Sequence, residues 1–336
     1  MGPVFRDIVL SVVIPIYNEE EIIDKLHAAV TDVMEEIGEP WEVVYVNDGS
    51  TDTTLPRLLA YQASDPRVVV VELSRNWGHQ PAITAGLQTA RGSAVILMDG
   101  DFQDPPSVIP KFVAAWRRGA QVVVAQRRTR QETGFRTWVY PMFYKVLGYL
   151  SDFPIPLNAG IFGLLDRQAV DSINALAENN RYLPGLRAWV GYPTEVVYYD
   201  RQDRAGGEPK QTFWKLLKYG LDAIFSFSYK PLRLSLVAGG CIAAFALLYA
   251  LFLLIGRVAD INLFGPVVAG YTSTIVSVLF IGGVQLMGIG ILGEYIGRIY
   301  DEVKKRPLYI VRQVHQGQPM LRVVGGTRHD RERIVA

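Results

Sequence analysis

The chain has 336 residues, with 34 lysines and arginines against 33 aspartates and glutamates, and a formal net charge of +1. A charge this close to zero gives no global basic field for nucleic acid, and we expect no nucleic-acid partner. The length fits one large domain or two ordinary ones. The only cysteine, Cys241, excludes a disulfide framework and fits a reducing compartment.

The first part of the chain alternates apolar runs with amphipathic stretches. The predicted strands are residues 9–16, 41–46, 68–73, 95–98 and 121–125. The predicted helices are residues 20–37, 82–89 and 107–116, and one that ends at Ala60 with Ser50 or Thr51 as its N-cap. Strands that are apolar throughout and separated by helices predict an α/β domain, in which helices cover both faces of a mostly parallel sheet.

Polar side chains follow four of the predicted strands at the point where each strand ends. Because the carboxyl ends of parallel strands meet at one edge of a sheet, we expect these side chains to line one crevice. Any one of them alone could be a turn or a solvated loop, but their convergence favours a ligand site. They are Asn18 and Glu19, Asp48, Ser74 to Asn76, and Asp99 with Asp101.

The fourth of these strand ends reads VILMDGDFQDPP and carries Asp99 and Asp101. A buried strand needs no charge at its end for folding, whereas two carboxylates one residue apart offer hard oxygen ligands to a divalent cation. Mg²⁺ or Mn²⁺ at such a place usually holds a phosphate as well, which predicts a nucleotide ligand. The alternative is that both aspartates merely solvate a loop.

Two long stretches without a charged residue predict two membrane spans, at residues 234–255 and 263–293. A helix of 22 residues is about 33 Å long, enough to cross the hydrocarbon core. Basic residues flank the pair on the side of both termini, so we expect that side to be cytoplasmic. They are Lys230 and Arg233 before the first span, and Arg298, Lys304, Lys305 and Arg306 after the second.

Residues 213–227 interleave aromatic and aliphatic side chains with Lys215 and Lys218. This pattern predicts an interfacial amphipathic helix, with core packing as the alternative. A second such helix is predicted around residues 136–145. From about Arg312 onward the chain reads as a polar cytoplasmic extension.

Four motifs, SVVIPIYNEE, VNDGSTD, SRNWGHQPAITAGL and MDGDFQDPP, resemble in order and spacing glycosyltransferase family 2, the inverting nucleotide-sugar enzymes with a GT-A fold. With FSFSYKPLRLS before two C-terminal spans, the chain is similar to the polyprenyl-phosphate glycosyltransferase branch. The resemblance covers about residues 8 to 311. It implies a GT-A domain at 1–210, interfacial helices at 211–232, two transmembrane helices at 233–297 and a cytoplasmic tail at 298–336.

The resemblance also implies site residues, position by position. Asp99 and Asp101 match the family's Asp-x-Asp, with Asp101 as the more direct metal ligand, and Gln103 and Asp104 match the motif that faces the sugar and metal. The nucleoside-binding positions are Pro15, Tyr17, Glu19 and Asp48, together with Asp99. The positions expected to hold donor or lipid phosphate are Arg127, Arg130, Arg201, Arg204 and Lys210, of which Arg127 and Arg130 join the catalytic set.

The activity implied is inverting transfer of one sugar from a nucleotide-sugar, with UDP-glucose favoured, to polyprenyl (undecaprenyl) phosphate at the cytoplasmic membrane face, with Mg²⁺ or Mn²⁺. The implied partners are these two substrates and membrane lipids, and a homo-oligomer stays open. One alternative is a GDP-mannose-dependent polyprenyl-phosphate mannosyltransferase. A processive polysaccharide synthase would carry a Gln-x-x-Arg-Trp motif and more spans, neither of which the sequence contains.

The chain departs from the family pattern at one segment. Many relatives read Asp-x-Gly-Asp-Phe-Arg-Leu where this chain has Asn158, Ile161 and Gly163 in place of both acids and the arginine. Either the reaction does without a carboxylate there, or the protein is a catalytically silent binder of lipid phosphate or nucleotide. His79 is a lone histidine, for which we expect a structural or sugar-contact role rather than metal ligation.

Overall fold

The computed structural model describes residues 8–127, 159–179, 181–199, 230–258 and 271–317. The predicted interfacial helices around 136–145 and 213–227 lie outside these ranges, as does Asn158, whereas the last three residues of the predicted interfacial segment 211–232 belong to a helix that begins at Lys230. Four of the predicted phosphate-binding residues also lie outside the described ranges, namely Arg130, Arg201, Arg204 and Lys210.

The described strands form one eight-stranded sheet in the order β7-β5-β6-β4-β1-β2-β3-β8. Strands β4, β1, β2 and β3 run parallel to one another, β5 runs parallel to β7, and β6 and β8 pair antiparallel with their neighbours. The mostly parallel sheet predicted from the sequence is therefore confirmed. The strands are β1 (Leu10–Ile16), β2 (Trp41–Asn47), β3 (Val68–Leu73), β4 (Ala94–Leu97), β5 (Val122–Arg127), β6 (Ala159–Asp166), β7 (Thr194–Tyr199) and β8 (Val311–His315).

Helices cover both faces of the sheet, as the apolar strands require. Alternate residues of β1 enter different cores, with Val12 and Ile14 on one face and Val13 on the other. Helices α1, α2 and α4 pack on the first face, and α3, α5 and α6 on the second. The helices are α1 (Ile23–Ile37), α2 (Thr54–Ser64), α3 (His79–Thr89), α4 (Ile109–Arg117), α5 (Arg167–Ala175), α6 (Leu183–Trp189), α7 (Lys230–Val258) and α8 (Tyr271–Lys304).

The predicted cap of α2 is wrong. The helix begins at Thr54, with Thr53 at the N-cap position. Ser50 and Thr51 instead bond the loop after β2 to the loop after β1. Ser50 Oγ accepts a hydrogen bond from the Asn18 N–H (3.0 Å), and the Thr51 N–H donates to Asn18 Oδ1 (2.8 Å). A contact across 33 residues of sequence thus replaces the local cap.

The C-terminal extension predicted from about Arg312 is also corrected. Residues 311–315 form β8, which pairs antiparallel with β3, with Val71 opposite Val314 and Val70 opposite His315. The main-chain groups of the outer parallel strand, β3, are thereby paired rather than left at an open edge. A five-residue strand whose side chains are mostly exposed carries too little hydrophobic pattern for its partner to be inferred from sequence.

The two C-terminal helices differ in how far they meet the requirements of a membrane span. Among the described residues, Phe280–Lys304 of α8 is long and apolar enough to cross a membrane. In α7 the stretch Ser235–Tyr249 is apolar but shorter, so one candidate span is found where two were predicted. The two helices pack against each other, and on α8 Leu286 is 70% and Ile289 64% exposed. The outer surface of this helix is therefore apolar.

A buried carboxylate ties the amino ends of the strands together, at the edge opposite to where β1, β2 and β4 end. Glu42 is fully buried, and its carboxylate accepts hydrogen bonds from Ser11 Oγ (2.7 Å) and from the Arg91 backbone N–H (2.7 Å). The Arg91 guanidinium donates to the other oxygen through Nε (2.9 Å) and Nη2 (2.6 Å). Because the carboxylate is wholly desolvated, it depends on these donors.

We expect Glu42→Gln to destabilise the full-length protein in detergent by about 3 kcal/mol, because the amide turns a donor toward groups that need an acceptor. The measurement is equilibrium or thermal unfolding followed by circular dichroism. Glu35→Gln is the matched control, since Glu35 meets Arg67 (2.5 Å) at the surface and should change stability by less than about 0.5 kcal/mol. Equal losses in the two variants would contradict the assignment.

Candidate functional site

A cleft of about 400 Å³ opens at the carboxyl edge of the sheet, where β1, β2 and β4 end. Its volume lies in the range of small-molecule sites. Seven of the residues predicted from the sequence meet around it, although their binding roles stay predictions: Pro15, Tyr17, Glu19, Asp48, Asn76, Asp99 and Asp101. The lining residues are Pro15, Ile16, Tyr17, Glu19, Asp48, Asn76, Gly78, His79, Ala82, Asp99, Gly100 and Asp101.

Asp48 is the anchor of one wall of the cleft. It is 4% exposed, and its two carboxylate oxygens accept hydrogen bonds from the backbone N–H groups of Trp77 (2.7 Å) and Gly78 (2.9 Å). Burial raises the pKa of Asp48, although the two amide donors oppose the shift. Each oxygen still has a second lone pair, so holding the loop does not prevent a contact with a ligand.

The turn after Asp48 needs a glycine. Gly49 has φ +69°, and a Cβ there would lie 2.5 Å from the backbone carbon of Arg75 and 2.5 Å from the backbone nitrogen of Asn76. Residue 49 therefore has to be glycine for the turn after β2 to lie against the loop after β3. This close approach lets Asp48 reach the amides of residues 77 and 78.

A second pair of loops is held together by reciprocal hydrogen bonds. The Glu19 N–H donates to Thr54 Oγ1 (3.0 Å), the Glu20 N–H donates to Asp52 Oδ2 (3.3 Å), and Thr53 donates to Glu20 Oε2 through its N–H (3.0 Å) and hydroxyl (2.6 Å). Together with the Asn18 contacts to Ser50 and Thr51, these bonds set the backbone that carries Tyr17 and Glu19 at the cleft.

His79 joins the aspartates rather than standing alone. It is the first residue of α3, and its Nε2 lies 2.8 Å from Asp99 Oδ1. Burial by itself lowers the pKa of His79, but the bond to Asp99 and the charges of Asp99, Asp48 and Asp101 outweigh it, and the net shift is upward. This contact orients the Asp99 carboxylate, and His79 also lines the cleft, so that a structural role and a sugar contact both stay predictions.

Asp101 lies in a tight turn that aims it at the cleft. Phe102 has φ +56°, and the Gln103 N–H donates to Asp101 Oδ1 (3.1 Å). Among the described residues no group of three histidine, cysteine or acidic side chains could hold a metal ion. Two carboxylates fit Mg²⁺ or Mn²⁺ nonetheless, because these cations are commonly held by one or two carboxylates together with substrate phosphates. The chemistry of Asp99 and Asp101 therefore fits a cation that arrives with a phosphorylated ligand.

Gln103 and Asp104 are not among the residues that line the cleft. Asp104 is 2% exposed and accepts a hydrogen bond from the Tyr199 hydroxyl (2.6 Å) at the end of β7. This contact ties the loop after β4 to an outer strand of the sheet. A direct contact of Asp104 with sugar or metal, expected from the resemblance, stays a prediction.

One arginine was missed by the sequence reasoning. Arg187, on α6, is 3% exposed, and its Nη2 donates to the Gly160 carbonyl (3.2 Å). Burial lowers its pKa to about 10, and its Nε has no hydrogen-bond partner in the described part of the chain. The surrounding segment LPGLRAW has the pattern of an apolar helix, so the sequence carried no signal that Arg187 would be buried. Of the arginines that were predicted, Arg127 is placed as the last residue of β5.

At the start of β6, where the chain departs from the family pattern, Ile161 and Gly163 take part in core packing. Ile161 is 5% exposed and lies in the same apolar cluster as Leu97 and Leu183. At Gly163 a Cβ would lie 2.2 Å from the Val123 carbonyl oxygen, so a larger residue would push β5 and β6 apart. Within the described residues, the positions of the second acid and the arginine are thus part of the core.

We expect Asp48→Asn to weaken binding of uridine diphosphate at least tenfold, because an amide nitrogen cannot accept from the N–H of residue 77 or 78 and the cleft wall loses its anchor. Isothermal titration with the full-length protein measures the affinity. Asp32→Asn, an exposed change on α1, is the control. An affinity that stays at the wild-type value in both variants would show that this wall does not form the nucleotide site.

Comparison with known proteins agrees with this geometry. Residues 11–173 match the family model described as glycosyl transferase family 2, and residues 230–299 match the GtrB C-terminal hairpin. An uncharacterized glycosyltransferase, sll0501 of Synechocystis sp., is 45% identical over 303 residues, covering 90% of this chain and 94% of that protein. The SfII prophage-derived bactoprenol glucosyl transferase of Shigella flexneri is 43% identical over 311 residues, covering 92% of this chain and 99% of that protein.

A further relative, the prophage bactoprenol glucosyl transferase homolog of Escherichia coli, is 41% identical over 306 residues, covering 91% of this chain and 99% of that protein. Identity at this level over nearly the full length of both chains extends beyond the motifs to the whole domain arrangement. All the residues that line the cleft lie within the segment 11–173 that matches the family model. The chain belongs to glycosyltransferase family 2.

Proposed function

We propose that this protein transfers a glucosyl group from a nucleotide-sugar, with UDP-glucose as the favoured donor, to polyprenyl phosphate at the cytoplasmic face of a membrane. The observation that carries the proposal is the single cleft around which Asp48, Asp99 and Asp101 meet, in a chain that also has an apolar helix long enough to span a membrane. The names of the relatives in Shigella and Escherichia coli support glucose and bactoprenol as the sugar and lipid.

The donor nucleotide occupies the wall built from the ends of β1 and β2. Pro15, Tyr17, Glu19 and Asp48 face its nucleoside, where Asp48 can accept a base N–H or ribose hydroxyl with its remaining lone pairs. Their place at the carboxyl ends of adjacent parallel strands supports this assignment, because ligands of open α/β sheets bind there.

Asp99 and Asp101 would hold a divalent cation, since Mg²⁺ and Mn²⁺ are commonly held by one or two carboxylates together with substrate phosphates. When bound, Mg²⁺ or Mn²⁺ stabilises the negative charge of the departing nucleoside diphosphate. His79 keeps Asp99 in place through the 2.8 Å contact, and the amide of Gln103 does the same for Asp101. Both aspartates are then oriented before the donor arrives, which lowers the cost of binding.

The nucleophile is an oxygen of the polyprenyl phosphate, which attacks the anomeric carbon as the bond to the diphosphate breaks. The second pKa of a phosphate monoester is about 6, so the attacking oxygen is largely ionised at neutral pH and needs no general base. This chemistry explains how a member of the family can have Ile161 in its core where many relatives carry an acid. In-line displacement inverts the anomeric centre.

Positioning two anions against their mutual repulsion is the harder task, and arginines serve it through bidentate contacts with phosphate oxygens. We assign this role to the five basic residues that the family resemblance implies for donor or lipid phosphate. They are Arg127, Arg130, Arg201, Arg204 and Lys210.

The membrane part consists of α7 and α8 as a hairpin of two spans, preceded by the interfacial segment 211–232, whose last three residues begin α7. The match of residues 230–299 to the GtrB C-terminal hairpin and the contact between α7 and α8 support two spans. Basic residues at the ends that adjoin the catalytic domain support a cytoplasmic orientation for that domain and both termini. The catalytic domain, residues 1–210 with β8 added to its sheet, then lies where a lipid phosphate can reach it.

We expect Asp101→Ala to reduce product formation by about 100-fold or more, because it removes a carboxylate from the charge-stabilising part of the site. Product is measured as lipid-linked sugar by mass spectrometry, and circular dichroism verifies folding. Asp171→Ala, an exposed change on α5, is the control. Turnover that is unchanged in Asp101→Ala would refute the metal site.

The donor and the metal are tested together with the full-length protein in detergent, undecaprenyl phosphate and a panel of UDP- and GDP-sugars. We expect product from UDP-glucose, its loss on removal of divalent cations with a chelator, and its recovery on addition of Mn²⁺ or Mg²⁺. Product from GDP-mannose instead would make the protein a mannosyltransferase. Nucleotide binding without product from any donor would favour a silent binder.

A further inference from the structure

The segment that follows α8 returns to the catalytic domain and lies against its donor side. We call residues 305–317 the C-terminal arm. It falls outside both matched family segments, which end at residues 173 and 299. Within it, β8 pairs with β3, and a Cβ at Gly317 would come within 3.0 Å of Pro66. The arm therefore runs along the whole of β3.

The arm bonds to the backbone at the point where the cleft loop begins. The Ser74 N–H, the first after β3, donates to the Ile310 carbonyl (2.9 Å). Four residues later the same loop reaches Gly78, which lines the cleft and is bonded to Asp48. The loop of residues 74–78 is thus held by the arm at one end and by Asp48 at the other.

Side chains of the arm contact the two elements that flank this loop. Arg312 Nη1 donates to Glu72 Oε1 (2.8 Å) on β3, and His315 Nε2 lies 3.5 Å from Glu72 Oε2. Glu72 is 8% exposed, so its carboxylate is largely removed from water and relies on these partners. On α3, Gln88 accepts a hydrogen bond from the Tyr309 hydroxyl.

The arm begins from a fixed point on the catalytic domain. At the end of α8, Glu302 Oε1 accepts a hydrogen bond from the Asn179 N–H (2.7 Å), and the Asp301 carbonyl accepts one from Asn179 Nδ2 (3.2 Å). A membrane helix, the arm and the donor loop therefore form one continuous chain of contacts.

We propose that the C-terminal arm positions the donor site: through Ile310, Arg312 and Tyr309 it holds β3 and α3, and with them the loop that presents Asn76, Gly78 and His79 to the nucleotide-sugar. This inference deepens the proposed function and rests on it for the identity of the ligand. Tyr309, Ile310 and Arg312 are positioning residues, since they do not line the cleft. Their effect is to reduce the conformational freedom that the loop would lose on binding the donor.

The simpler alternative is that β8 only covers the edge of the sheet. Edge protection predicts a loss of stability when the arm is weakened, but no selective change at the cleft. Positioning predicts a lower affinity for the donor nucleotide with an unchanged KM for the lipid. The two readings therefore differ in a quantity that can be measured.

The test uses the full-length protein in detergent and compares Arg312→Ala with Arg306→Ala. Arg306 is an exposed residue of the same arm, and Arg306→Ala removes the same charge as Arg312→Ala, which makes it a matched control. We expect Arg312→Ala to raise the Kd for uridine diphosphate and the KM for UDP-glucose about three- to tenfold, because Arg312 is partly exposed and a single ionic hydrogen bond is lost. The KM for undecaprenyl phosphate should stay within about twofold.

Two further variants keep the test decisive. Arg312→Lys should recover part of the affinity, and Tyr309→Phe, which deletes only the hydroxyl that bonds to Gln88, should raise the Kd about twofold. If Arg312→Ala and Tyr309→Phe lower the thermal midpoint but leave the Kd at the wild-type value, the arm only protects the edge and the proposal is overturned.

Hydrogen exchange separates this proposal from the proposed function. In Arg312→Ala, amide protection of residues 74–78 should fall without ligand, while Arg306→Ala should match the wild type. That result would support the arm's hold on the loop even if no donor gave product. Unchanged protection in Arg312→Ala, in a protein that does form glucosylated lipid, would overturn the arm's role and leave the proposed function standing.

Discussion

The hydrogen bonds from the backbone amides of residues 77 and 78 to Asp48 are the contact on which the geometry of the cleft depends. They bring the loop after β3 against the turn after β2, and Gly49 makes that approach sterically possible. The same loop leads directly into α3, whose first residue, His79, orients Asp99. One buried carboxylate therefore links the wall of the cleft at the ends of β1 and β2 to Asp99 and Asp101 on its other side.

The buried carboxylate at the amino edge of the sheet stabilises the fold, whereas the carboxylates at the carboxyl edge line the candidate site. At the amino edge, Glu42 is fully buried and accepts hydrogen bonds from Ser11 and Arg91, an arrangement that supports folding. At the carboxyl edge, Asp99 and Asp101 line an open cleft, where their charge is available to a cation or a substrate. The parallel strands explain the division, because their direction puts all their loops of one kind on one side.

The start of β6 shows how a family pattern can change without loss of the fold. Ile161 and Gly163 occupy core positions, one filling an apolar cluster and the other allowing β5 and β6 to approach. Since an ionised lipid phosphate is already a nucleophile, the reaction we propose does not require a carboxylate at that place. The buried Arg187 close by, bonded to the Gly160 carbonyl, adds positive charge to the same region.

The sequence by itself determined the order of strands and helices through β5, the mostly parallel sheet and five polar residues that meet at the cleft, namely Glu19, Asp48, Asn76, Asp99 and Asp101. These follow from local hydrophobic runs and from the direction of parallel strands, both of which can be read over a few residues. Pro15 and Tyr17, by contrast, were implied by the family resemblance. Tertiary structure alone decided the pairing of β8 with β3, the burial of Asp104 against Tyr199, the hydrogen bonds that join Ser50 and Thr51 to Asn18, and the burial of Arg187 against Gly160. Each of these depends on contacts between segments distant in sequence, for which the local pattern carries no signal.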